Sequence, residues 1–110
     1  MSKIVGSFYL IQNETGNLMG EFTNNIRFSV TVESACLKEA GANAFEGRYQ
    51  SMWMEDGLPC MAELVIGISE SPETDFKYKL VWQDADQKPM YSAEAFLAEG
   101  MLVGHYMSLS

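Results

Sequence analysis

Between Phe76 and Gln83 every second side chain is large and apolar. Phe76, Tyr78, Leu80 and Trp82 share one parity, while Lys77, Lys79 and Gln83 share the other. Successive side chains of a strand point to opposite faces, so this pattern specifies a strand with one buried and one wet face. A helix would need its apolar residues every three or four positions.

The same period of two recurs along the whole chain. Residues 3–11 place Gly6, Phe8 and Leu10 inward, and residues 18–23 place Leu18, Gly20 and Phe22 inward. Residues 26–33 place Ile26, Phe28, Val30 and Val32 inside. Residues 45–53 do the same with Phe45, Gly47, Tyr49, Ser51 and Trp53. Residues 61–68 bury Ala62, Leu64, Ile66 and Ile68. Residues 91–97 bury Tyr91, Ala93, Ala95 and Leu97, and residues 101–107 bury Leu102, Gly104 and Tyr106. Together these segments predict about eight strands.

The connections carry turn chemistry. Asn13 to Asn17, Asn24-Asn25, Glu55-Asp56-Gly57 and Glu99-Gly100 supply residues that tolerate positive φ. Short loops join neighbouring strands, so the expected topology is an up-and-down antiparallel meander forming a single domain over residues 1–110. One segment breaks the period. Residues 34–41 open on Ser34, close on Gly41 and hold Ala35, Leu37, Lys38, Glu39 and Ala40 between, which predicts a short helix between the third and fourth strands.

Four strands repeat Gly-x-aromatic with both residues on the inner face: Gly6-Ser7-Phe8, Gly20-Glu21-Phe22, Gly47-Arg48-Tyr49 and Gly104-His105-Tyr106. Glycine weakens a strand, so a repeated inward glycine asks for a cause. Curvature supplies one: a small closed barrel crowds its interior, and an inward glycine lets the strand coil beside a space-filling ring. The chain is therefore expected to be all-β, an antiparallel barrel, with a flatter β-sandwich as the alternative.

This pattern resembles the calycin group of meander barrels, the avidin-like proteins above all. The segments that carry the likeness are Leu18 to Thr23 after Asn17, Phe45 to Ser51, and Leu80-Val81-Trp82. The resemblance implies a barrel with a ligand site at its mouth. Avidin-like proteins hold biotin partly through a tyrosine in the second-strand Gly-x-Tyr, and Phe22 occupies that position here. A family-type serine two residues later is Asn24, and the late aromatic lid residues have no counterpart. The likeness thus speaks for the fold and against a biotin site.

Composition narrows the function classes. With 15 acidic and 7 basic residues the net charge is −8, which repels both nucleic-acid phosphates and anionic membranes. The first residues lack the apolar run of a secretory signal, so a cytoplasmic protein is expected, with a processed secreted chain as the lesser alternative. Cys36 and Cys60 match no zinc or redox spacing and are expected to be reduced. His105, the single histidine, points outward by parity, and Asp84-Ala85-Asp86 lacks the glycine and closing glutamate of a calcium loop. No metal, cofactor or catalytic group is expected.

Two groups of residues remain as candidates. Tyr49, Trp53, Tyr78, Trp82, Tyr91 and Tyr106 face one interior and would either fill it or line a pocket for a small apolar or aromatic ligand. Val5, Tyr9, Ile11, Met19, Met101, Val103 and Met107 face outward and would form one apolar patch if the first and last strands meet. A homodimer would bury that patch. The leading expectation is a non-catalytic protein acting by self-association or partner binding. A calycin-type ligand binder is second. An enzyme is third, because it would need a buried acid or histidine and this parity places none inside.

Overall fold

The computed structural model describes residues 3–27, 29–69 and 77–109. Eight strands follow in chain order: β1 (Val5–Gln12), β2 (Leu18–Asn24), β3 (Thr31–Ala40), β4 (Gly47–Glu55), β5 (Leu58–Ile68), β6 (Tyr78–Gln83), β7 (Pro89–Ala98) and β8 (Met101–Ser108). Each pairs antiparallel with the next, and β8 returns to β1 to close a barrel. Closure rules out the sandwich and leaves no strand edge unpaired. No helix among the described residues is long and apolar enough to cross a membrane.

Two hairpins show how the sequence sets these pairings. Asp56 and Gly57 join β4 to β5, and Glu99 and Gly100 join β7 to β8. All four have positive φ, as a two-residue type I′ turn requires. Such turns twist in the sense of the strands they connect and so fix the register from which the barrel is built.

The expected helix at residues 34–41 is absent. Those residues continue β3, which pairs with β2 along one edge and β4 along the other. Helix-favouring composition is worth only tenths of a kcal/mol per residue. Losing β3 would leave two ladders of backbone groups unpaired, a far larger penalty. The register slips between Leu37 and Glu39, so a bulge takes up the extra residue, Lys38, near the end of the strand.

The phase of this strand also departs from expectation. Ile26 and Val30 lie in the loop before β3, and Val32 is on its outer face; all three are exposed. Phe28, and likewise Phe76, lies outside the described residues. The inward residues of β3 are Glu33 and Ala35, with Leu37 packed beside the core. Elsewhere the predicted parity holds: Phe8, Leu10, Leu18, Leu64, Leu80 and Leu102 are buried. The exceptions are at strand ends, where Ile68 and Leu97 are exposed.

The inward glycines do what curvature demands. A Cβ on Gly20 would fall on the carbonyl oxygen of Tyr9 in β1, and one on Gly104 on that of Glu94 in β7. At these points neighbouring backbones cross too closely for any side chain. Gly20→Val and Gly104→Val should therefore each destabilise the protein by at least about 1–3 kcal/mol in chemical denaturation. Gly67→Ala, whose added methyl meets nothing, should stay within about 0.5 kcal/mol. Equal stability of all three variants would show that the backbones do not approach as described.

Candidate functional site

The two ends of the lumen are built differently. At one end Tyr49 is fully buried; its hydroxyl donates to the Phe45 carbonyl at 2.8 Å and accepts from Gln12 Nε2 at 3.1 Å. Gln12 Oε1 in turn accepts from the Phe45 amide. Phe45 is held at positive φ (69°), an uncommon conformation for a bulky residue, and packs its ring against Tyr78. The Tyr78 hydroxyl donates to the Ala44 carbonyl at 3.3 Å. These contacts close that end.

The other end is open. A cavity of about 60 Å³ is lined there by Phe8, Phe22, Trp53, Trp82, Tyr91 and Tyr106, with Ile4, Asn24, Glu33 and Glu55 completing its wall. The rings meet edge to face. Phe8 lies 5.7 Å from Trp82, Phe22 lies 6.0 Å from Tyr106, and Tyr91 lies 5.8 Å from Tyr106, each at a steep angle. This arrangement is favoured by the ring quadrupoles and holds the aromatic wall in place.

Glu33 is the unexpected member. It projects inward from β3 and is 3% exposed. Its Oε2 accepts from the indole Nε1 of Trp82 at 2.7 Å and from the Ser51 hydroxyl. One carboxyl group thereby links β3 to its neighbour β4 and, across the lumen, to β6. Among the described residues no donor reaches Oε1. Burial pushes the Glu33 carboxyl above the ordinary glutamate range, while the hydrogen bonds from Ser51 and Trp82 pull the other way. The opposite residue on β2 is Gly20.

The remaining polar groups are mostly committed. Trp53 Nε1 donates to Glu55 at 2.9 Å. The Tyr106 hydroxyl accepts from Asn24 Nδ2 at 3.1 Å and donates to the Thr23 carbonyl at 3.4 Å. The Tyr91 hydroxyl has no hydrogen-bond partner among the described residues. Burial raises its pKa, as does nearby Glu55. Over the mouth, exposed Arg27 of the β2–β3 loop pairs with Asp56 of the β4–β5 turn.

Of the six aromatics proposed from sequence, Trp53, Trp82, Tyr91 and Tyr106 converge on this pocket. Tyr49 and Tyr78 belong instead to the closed end. Phe8, Phe22, Asn24, Glu33 and Glu55 were not among the candidates. Phe22 and Asn24 stand at the two positions compared with avidin-like proteins, and both do line the pocket. Glu33 was assigned outward because the apolar alternation of residues 26–32 gives the wrong phase. Its neighbour Ala35 is small and pairs with one apolar and one polar residue, Leu18 and Ser51, so it offers no strong signal to reverse that assignment. His105 is exposed beside Glu94, and both cysteines are free.

The outer face carries the other candidate group. Pairing sets Val5 beside Met107, Tyr9 beside Val103 and Ile11 beside Met19. Val5, Ile11, Met19 and Met107 are exposed, while Tyr9, Met101 and Val103 are half-buried. The apolar surface reaches further than expected: from Met19 the row runs through Ser34 to Met52 and Met61, both exposed.

Comparison with known proteins gives no match, whether to a family profile, a curated protein or a solved structure. The calycin likeness accordingly extends to the closed eight-stranded antiparallel barrel and no further.

The pKa of Glu33 has a consequence for stability. A carboxyl whose pKa is higher in the folded than the unfolded state contributes most at low pH, and that contribution is lost as pH rises through the folded value. Wild type should therefore lose stability relative to Glu33→Gln as pH rises from about 4 towards neutrality. Thermal unfolding of both proteins across that range reads the difference. Parallel curves would mean that Glu33 is not held in a desolvating site.

Proposed function

We propose that the open end of the barrel binds a small amphipathic ligand and that the protein is a non-catalytic binder of calycin type. The observation that carries this reading is a single buried carboxyl group, with one oxygen left without a donor, in the wall of an aromatic cavity. Binding pockets combine mostly apolar walls with a few placed polar groups in this way. Lumen packing alone would favour an apolar residue at position 33, since a carboxyl carries a desolvation cost even when Trp82 and Ser51 donate to it. Glu33 supplies the buried acid that an enzyme would need, but among the described residues no serine, cysteine or histidine stands in the cavity wall beside it as a nucleophile or second base, which favours retention of a ligand over its conversion.

The size of the cavity limits what enters. A cavity of about 150 Å³ holds a benzene ring. The space here is about 60 Å³, so it takes a head group while the rest of the ligand lies in the mouth among the rings.

A second reading, self-association, is supported by the outer row from Ile11 through Met19 to Met52 and Met61 together with the patch at Val5, Tyr9, Val103 and Met107. Contiguous exposed apolar surface is uncommon on soluble monomers, and a two-fold contact would cover it. The two readings use opposite faces of the same strands and are compatible.

Two measurements test them. Thermal shift with 2-phenylethanol and 2-phenylethylamine should raise the melting temperature with at least one probe, and by about 2.7 kcal/mol of stability at 100 times its Kd. Indifference to both probes would refute the ligand reading. For self-association, sedimentation should give a dimer for the wild type and a monomer for Val103→Glu. A monomeric wild type, or a dimer unchanged by that charge, would refute the placement of the interface.

A further inference from the structure

We infer that the pocket selects a cationic head group, an organic ammonium carried on a small apolar body, with Glu33 as its counter-ion; this rests on reading the open end as a ligand site. Apart from the Tyr91 hydroxyl and the Asn24 amide, the uncommitted polar atoms are carboxyl oxygens. Glu33 Oε1 has no donor among the described residues, Glu55 uses one oxygen for Trp53, and the indole N–H groups of Trp53 and Trp82 are already donated to those two glutamates. With Glu33 ionised, a ligand that brings its own protons finds acceptors in both carboxylates. Around these acceptors stand six aromatic rings, whose faces attract cations, and such cages are a recurring way to hold ammonium groups.

Among the described residues no lysine, arginine or histidine lines the cavity. At the same end Lys3 donates to the Ser108 carbonyl, Arg27 is held by Asp56, and Lys88 is exposed on the β6–β7 loop. The titratable groups that share this end of the lumen with Glu33 are Tyr106, Tyr91, Glu55 and the half-buried Cys60 beside Glu55 and Tyr91, and none of them is cationic. An ammonium would restore to Glu33 the charge stabilisation that burial removes. A carboxylate or phosphate ligand would meet two acids and no base.

The cavity volume agrees with this division of the ligand. A methylene-linked ammonium is small enough for the enclosed space, and its apolar remainder is placed against the rings near the mouth. Because burial favours the neutral form of Glu33, binding a cation must draw off its proton. Affinity should then rise with pH until Glu33 is ionised in the free protein, while the amine itself stays protonated up to about pH 10.

The isosteric pair 2-phenylethylammonium and 2-phenylethanol tests the inference by calorimetric titration of the intact protein. The cation should bind at least about tenfold more tightly than the alcohol near neutral pH. Glu33→Gln, which keeps the acceptor for Trp82 and Ser51, should remove that preference and leave the alcohol within about threefold of its wild-type Kd. Glu55→Gln, at an exposed position where folding is not at stake, should weaken only the cation, and by a smaller factor. Equal affinity for cation and alcohol, or a preference that survives Glu33→Gln, would overturn the cationic head group while leaving the ligand site standing. Failure of both probes to bind would overturn the two together.

Discussion

A single carboxyl group spans the barrel. Glu33 reaches from β3 to Trp82 on the far wall and to Ser51 beside it, within a lumen otherwise filled by leucine, alanine and aromatic side chains. Such a group is costly to bury, and its position is therefore tightly determined: β3 must present position 33 inward, and β6 must turn the Trp82 indole to meet it. The phase of β3 and the shape of the pocket both follow from this contact. Polar contacts inside a low-dielectric interior specify geometry more strongly than apolar ones, because misplacing them leaves a charge or dipole unpaired.

The same economy of space explains why the ends differ. Eight strands enclose a lumen that side chains just fill. Tyr49, Phe45 and Tyr78 fill one end and spend their polar atoms on backbone carbonyls and on Gln12. At the other end the rings stand edge to face around a gap that two carboxyl groups also line. A barrel of this width cannot swallow a large ligand whole. It can hold one chemical group and leave the rest at the rim.

Closure also governs the outside. Because β1 pairs with both β2 and β8, the outward apolar residues of three strands become neighbours, and the row continues onto β4 and β5 through Ser34. Inward and outward faces of β1 are both apolar in places: Phe8 and Leu10 within, Tyr9 and Ile11 without. Tyr9 tempers this by donating its hydroxyl to Glu21 on the adjacent strand.

Much of the fold could be read from the chain. Strict alternation in residues 78–83, 45–53 and 101–107 fixes which side chains are buried, since the period of a strand is two whatever surrounds it. Asp56-Gly57 and Glu99-Gly100 mark hairpins by local conformation alone, and the inward glycines announce curvature. Residues 26–41 could not be read this way. Ile26, Val30 and Val32 alternate as if buried, and the segment after them has the composition of a helix. Local patterns of that kind are outweighed once β3 must pair on both edges and the barrel must close. A shift of one residue then exchanges the two faces of the strand. That exchange carried Glu33 from the expected surface to the centre of the lumen. Sequence alone determined the strands and the aromatic face they share; only tertiary pairing decided that they close into a barrel and that an acid would lie within it, because register is a property of two strands and not of one.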